Sequence, residues 1–206
     1  MIRLLSVCGS PVENSSTELL LRRIAASIQS NLRERVRHRL VALNELDINP
    51  CQACGEDPAP QYCFVNDSMT LLYKDLEACD CLLFGTPIYF DTVSAQAKLF
   101  IDRCNCLRPA VFGLEVPRQT FVRRWKRIRP AAMVIVGGDQ AWFEGARRTL
   151  AGFFKWIGFS NEGFLSFGSV DYNRSGEAAE SPELLAEADR IGEKLAEILG
   201  NNHDRR

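Results

Sequence analysis

The 206-residue sequence has two histidines, no excess of either charge and no long apolar run, and each scarcity excludes something. With 25 Lys plus Arg against 26 Asp plus Glu, the net charge of −1 gives no global reason to expect nucleic acid or an anionic membrane as a partner. The apolar runs fall far short of the ~20 residues of a membrane span. The amino terminus is apolar only from Leu4 to Cys8 and then turns polar, the wrong shape for a signal peptide, so a cytoplasmic protein is expected. His38 lies in a strand-like stretch and His203 in the tail, and neither is given a catalytic role. The G-x-G-x-x-G and Walker patterns are both absent. Glycine and proline stay at ordinary levels, and charged and apolar residues are interspersed, which excludes disordered and collagenous classes.

Cysteine, by contrast, is plentiful. Eight in 206 residues is rich for a cytoplasmic chain and sparse for a disulfide scaffold, which points to redox chemistry, metal ligation or core packing. Cys51, Cys54, Cys63, Cys79 and Cys81 crowd together, and none follows Cys106. The 46% hydrophobic share is enough for the core of one domain of this length.

Hydrophobic patterning gives an alternating order. Ile2 to Cys8 reads as a buried strand that stops at Gly9-Ser10-Pro11, and a polar loop then caps a helix carrying Leu19, Leu20, Leu21, Ile24 and Ile28. Arg35 to Leu43 alternates as an edge strand, and Ser68 to Cys79 is helical. Cys81 to Pro87 is a second apolar strand meeting a turn, followed by a helix from Ser94, a possible cap, to Cys106. Ala131 to Gly138, Trp142 to Ile157, Gly163 to Phe167 and a helix opened by Ser181-Pro182 complete five strand–helix units. Apolar strands alternating with helices imply a doubly wound, five-stranded parallel sheet of flavodoxin type with helices on both faces. Residues 1–206 are expected to form one such domain, with insertions at about 49–66 and 108–129.

In this architecture a ligand sits beyond the carboxyl ends of the strands. The loop Gly9 to Thr17 would offer a phosphate free backbone N–H groups, the positive end of a helix dipole and the donors of Ser10, Asn14, Ser16 and Thr17. Alone, it also suits an ordinary capped helix. The loop Thr86 to Ala95 offers a rigid Pro87 and apolar surface from Tyr89 and Phe90, which suits a flat aromatic ring or plain packing. Gly137-Gly138-Asp139 permits close backbone approach. All three follow strands, and their convergence on one sheet edge favours flavin mononucleotide (FMN).

The segments GSPVENSSTELL, PCQAC with Cys63, FGTPIYFDTVSAQAKLFIDR and IVGGDQ, in this order, resemble the NADPH-dependent FMN reductase family, and especially its iron-sulfur flavoprotein branch. The likeness covers about residues 2–160, with TPIYFDTVSAQ its most specific part. It implies a flavodoxin-like fold, non-covalent FMN, reduction by NAD(P)H, and homodimers or homotetramers with the flavin near a subunit interface. By position it implies that Ser10, Asn14, Ser16 and Thr17 hold the phosphate. Pro87, Ile88, Tyr89 and Phe90 would line the ring, with Ser94 nearby and Gly138 and Asp139 closing the far side. Val12 and Glu13 stand where the family commonly has basic residues.

The iron-sulfur branch carries C-x2-C-x2-C-x5-C, which from Cys51 calls for cysteines at 51, 54, 57 and 63; the third position is Asp57. Three readings stay open: an iron-sulfur cluster, a zinc site of Cys51, Cys54 and Cys63 with Asp57 or Cys79, or a lost site whose cysteines only pack. The last, with no metal bound, is the reading adopted from sequence. Cys8, Cys104 and Cys106 are read as buried small hydrophobes. Arg108 to Arg129 holds seven basic residues against Glu115 alone, with Phe112, Phe121 and Trp125 interleaved, and reads as a solvated loop at an oligomer contact. The functional expectation is an oxidoreductase passing hydride from NAD(P)H to bound FMN and electrons onward to a flavin, quinone or other acceptor, with no catalytic side chain. An electron carrier without NAD(P)H turnover and a zinc-binding interaction protein are the rivals.

Overall fold

A computed structural model describes residues 1–32, 35–55, 61–111, 120–171 and 175–203. Strand β1 (Ile2–Cys8) leads to helix α1 (Ser16–Asn31), β2 (Val36–Ala42), α2 (Met69–Ala78), β3 (Cys81–Tyr89), the two-residue β4 (Thr92–Val93) and α3 (Ala95–Arg103). A short ribbon of β5 (Ala110–Val111) and β6 (Thr120–Phe121) precedes β7 (Arg129–Gly138), α4 (Phe143–Ile157), β8 (Phe159–Ser169) and α5 (Pro182–His203).

The main sheet runs β2-β1-β3-β7-β8, with every neighbouring pair parallel. The five expected strands are therefore present, and β4 adds a sixth, antiparallel to the end of β3. The central strands are apolar because both their faces are covered: Leu82 and Phe84 join one buried cluster while Cys81 and Leu83 join the other. The first cluster includes Leu72 and Leu76 of α2, Phe100 of α3 and Phe153 of α4. The second holds Leu20 and Ile24 of α1 with Leu195 and Leu199 of α5. The chain turns from β1 outward to β2 and then back across to β3, so the switch point of the sheet lies between the carboxyl ends of β1 and β3. A hydrogen bond from Gly9 N to the Gly85 carbonyl, 2.8 Å, ties those two ends together.

Local chemistry sets the helix ends that flank this crevice. Ser15 caps α1, its Oγ accepting from Glu18 N at 3.3 Å, and Ser94 caps α3 by accepting from Ala97 N at 3.2 Å. At the opposite edge α4 ends on Gly158, whose φ of +83° is a left-handed cap that suits glycine.

Several sequence boundaries change. Strand β3 runs two residues past Pro87, because Ile88 and Tyr89 pair with Val93 and Thr92 in a hairpin. Strand β8 extends to Phe159–Ser169, held along its length by β7. The helix read from Ser94 to Cys106 ends at Arg103 and tightens into a 3-10 turn over Cys104–Leu107. Of the basic stretch 108–129, residues 112–119, with Phe112 and Glu115, lie outside the described residues.

Candidate flavin site and cysteine cavity

At the carboxyl ends of β1, β3, β7 and β8 lies a cleft of about 360 Å³. Ser10, Ser16, Thr17, Pro87, Ile88, Tyr89 and Gly138 all line it, so most of the residues singled out in the sequence meet there. None of its described lining residues carries a formal charge. One end of the cleft is built from the start of α1. Ser16 is buried, and its Oγ accepts from Ala178 N at 3.1 Å, which leaves its own proton free to donate. The Ser15 Oγ is likewise used as an acceptor by the cap. Sixteen residues of α1 stand behind these hydroxyls and direct the positive end of the helix toward the cleft.

The phosphate-type loop is braced from outside. Ser175 Oγ donates toward the carbonyls of Glu13 and Asn14, at 3.0 and 2.9 Å, and Asn14 takes a left-handed φ of +53°, a conformation asparagine tolerates. Asn14 serves through its backbone, since its N–H donates to Glu18 Oε2 at 3.3 Å, and it is not in the cleft lining. Ser175, Ser169 and Val136 also line the cleft and were missed in the sequence reading, while Gly137 of the third loop lines it too. The strand end at Ser169 was the available signal, because it is a fourth carboxyl end at the same edge.

Phe90, Ser94 and Asp139 are not among the residues that line the cleft. Phe90 and Asp91 form the two-residue turn of the β3–β4 hairpin with φ of +50° and +59°, both positive as a type I′ turn requires. That geometry swings Phe90 fully into solvent. Asp91 Oδ1 accepts from Trp142 N at 3.1 Å, which braces the turn against the start of α4. Ser94 is buried beneath the cleft and its Oγ donates to the Gly9 carbonyl at 2.6 Å, so it joins two elements and leaves the lining to others. Asp139 is exposed in the turn closed by Ala141 N on the Gly138 carbonyl, 3.0 Å. A Cβ built on Gly138 meets nothing within 4 Å, whereas one on Gly137 would come within 2.7 Å of the Ala141 Cβ. Gly138 thus leaves room at the cleft wall, and Gly137 is required by packing. Cys8, just ahead of the phosphate loop, is pushed up to about 11 by burial and stays a neutral thiol.

A second cavity, of about 200 Å³, gathers Cys51, Cys54 and Cys63 of the cysteine loop with Cys106 from the 3-10 turn after α3. Arg103 organises this region. It is 2% exposed, forms a buried ion pair with Asp67 and donates to the carbonyls of Asn49 (2.9 Å) and Val65 (3.3 Å) and to Cys63 Sγ at 3.7 Å. Cys106 therefore does not simply fill the core; it is half-buried and lines the cavity, its Sγ donating to the Arg103 carbonyl at 3.3 Å. Cys104 and Cys8 are buried as expected. Cys79 is buried beside Arg129 and is absent from this cavity, which removes it from the zinc alternatives. Asp57 lies outside the described residues. Among the described residues, no group of three or more His, Cys, Asp or Glu is placed to hold a metal ion.

The sequence model of the NADPH-dependent FMN reductase family matches residues 2–160. The chain belongs to that family. Its parallel sheet flanked by helices is the flavodoxin-like fold. The chain is 29% identical over 107 residues to the iron-sulfur flavoprotein MJ1083 of Methanocaldococcus jannaschii, a match covering 52% of this chain and 54% of that protein. It is 23% identical to the iron-sulfur flavoprotein of Methanosarcina thermophila over 99% of this chain and 100% of that one. It thus spans about half of the first relative and the whole of the second. Among solved structures, RosB with a bound 8-demethyl-8-formylriboflavin-5'-phosphate intermediate superposes with a TM-score of 0.72 at 13% identity, covering 99% of this chain and 81% of RosB. That likeness concerns the fold.

The cleft suits FMN on its own terms. One end offers hydroxyl donors and a helix N-terminus without a counter-charge, as a single terminal phosphate needs. The other end joins Pro87–Tyr89 to a glycine wall with open space, as a flat ring needs.

Proposed function

We propose that the protein is an NAD(P)H-dependent, FMN-containing oxidoreductase that acts as one flavodoxin-like domain, in the cytoplasm and as a homo-oligomer. The observation that carries this reading is the meeting, in one cleft, of the hydroxyl-lined start of α1 with the Pro87–Tyr89 segment and Gly138. When bound, FMN supplies the redox chemistry, taking hydride from NAD(P)H and delivering electrons to a flavin, quinone or other acceptor.

The chain's own residues bind and orient. Ser10, Ser16 and Thr17 donate to the phosphate, and Asn14 shapes the loop that presents them. Hydrogen bonds to a charged group contribute about 1.5–3 kcal/mol each, so a few of them hold a phosphate without an arginine. Pro87, Ile88 and Tyr89 support one face and edge of the ring, and Gly137-Gly138 admit it closely from the other side. Ser94 fixes the distance between the β1 and β3 loops from below. No described side chain in the cleft is poised as a general acid or base, and none is assigned that role. Among the described residues no helix is long and apolar enough to cross a membrane.

Steady-state oxidation of NADPH and NADH with FMN-loaded protein and a quinone tests the proposal. Turnover with either nucleotide is the expected result. Bound flavin without turnover would leave an electron carrier instead.

A further inference from the structure

The carboxyl ends of β1, β3, β7 and β8 form the flavin cleft, and the loop after each of them exposes one large apolar side chain: Val12, Phe90, Trp142 and Val170 in turn. Each is more than half exposed. Val12 lines the cleft, Phe90 and Val170 directly follow the lining residues Tyr89 and Ser169, and Trp142 is tied to the Phe90 turn through its N–H on the Asp91 carboxylate. Apolar residues scattered singly over a surface need no explanation, but one on every loop around a single opening does. The aromatic pair is also held out under strain. Phe90 and Asp91 both take positive φ without being glycine, and Asp91 packs so closely on α4 that a Cβ at Gly145 would collide with its carbonyl oxygen.

The same four loops carry the exposed carboxylates Glu13, Asp91, Asp139 and Asp171, and none of their described residues is lysine or arginine. An apolar rim set in a negative field suits a flat, uncharged molecule and repels an anionic one. We propose that this rim binds the electron acceptor, and that the acceptor is an uncharged planar ring of quinone type, held against Phe90 and Trp142 at the ring end of the cleft. The inference rests on the FMN reading above and narrows its acceptor to one chemical class. NAD(P)H and one solvent proton together supply, by way of bound FMN, the two electrons and two protons that turn the quinone into its hydroquinone, and NAD(P)+ leaves.

The test compares 1,4-naphthoquinone with 1,4-naphthoquinone-2-sulfonate, the same ring without and with a negative charge, as acceptors for the FMN-loaded full chain. The nucleotide is itself an anion, so it is kept saturating. The sulfonate is the stronger oxidant, and a preference for the uncharged quinone therefore runs against driving force. The ratio of kcat/KM values should favour the uncharged quinone about tenfold at low ionic strength and narrow as salt is added. Asp139→Lys should raise kcat/KM for the sulfonate selectively. Equilibrium titration of the oxidised, FMN-loaded protein with 1,4-naphthoquinone gives a readout without turnover. Phe90→Asn, which suits the positive φ, and Trp142→Ser, which suits the start of α4, should each raise Kd about fivefold or more. Leu71→Ala, exposed on α2, should bind like the parent. FMN content of the same samples separates the two readings: a chain that takes up no FMN sinks the flavin assignment and this inference with it. FMN-loaded protein that prefers the sulfonate, or whose Phe90 and Trp142 variants bind the quinone unchanged, overturns the inference alone. So does an oligomer that these variants dissociate, which gives the rim to a second copy of the chain.

Discussion

The Ser94 hydroxyl donates a 2.6 Å hydrogen bond to the carbonyl of Gly9, locking the first turn of α3 to the end of β1 under the flavin cleft. The same oxygen accepts from Ala97 N, so one side chain caps a helix and satisfies a buried carbonyl. Ser94→Ala removes both bonds. The expected cost is about 1–3 kcal/mol of stability, read as a lower urea midpoint with an unchanged slope.

Thr17→Val keeps the shape that packs against Gly85 and deletes only the hydroxyl at the phosphate end. FMN affinity should fall roughly tenfold or more, the equivalent of a hydrogen bond to a charged group. Riboflavin, which lacks the phosphate, should bind both proteins equally. Fluorescence titration with the two ligands separates a phosphate contact from a general loss of fit.

The adjacent glycines of the third loop should behave differently. A methyl group at Gly137 runs into Ala141 and Ile88, so Gly137→Ala is expected to lower the melting temperature, as overpacking of about 1–3 kcal/mol does. Gly138→Ala meets open space and should melt like the parent.

His38 gives a pH dependence. Its Nε2 lies 2.8 Å from Ser6 Oγ, and burial, aided by the charge of Arg22, holds the imidazole below its ordinary range. The unfolded chain therefore binds a proton at higher pH than the native one, so this contribution is intact above about pH 6.5 and declines as pH falls below it. Urea midpoints at pH 7.5 and 5.5 should show the loss, and His38→Gln should reduce it.

The alternation of strands and helices, the edge position of β2 and the cap at Ser94 were legible because each rests on local pattern: apolar period, charge on one face, serine before a helix. The hairpin at Phe90-Asp91 was not, since neither residue is the asparagine or glycine that advertises a type I′ turn. Its positive φ values are imposed by pairing of Tyr89 with Thr92 and by Trp142 N–H on Asp91, contacts set by tertiary structure. The brace of Ser175 and Ala178 on the phosphate loop has the same origin, 161 and 162 residues away in sequence. Cys106 was misread for a related reason, because its neighbourhood is created by Arg103 holding a distant loop.

That clamp is itself testable. Arg103→Leu leaves Asp67 buried without its partner, at a cost of about 3–5 kcal/mol. Adding Asp67→Leu removes the orphaned charge, and the double variant should recover part of the loss in a urea melt.

The central claim is that this cleft binds FMN and exposes it to NAD(P)H, and one absorbance experiment bears on it most directly. Protein loaded with FMN and freed of excess ligand should retain flavin bands near roughly 370 and 450 nm, and the second should bleach when NADPH or NADH is added without oxygen. Protein that stays colourless after FMN is added, or that keeps its oxidised flavin band in excess of both nucleotides, would contradict it.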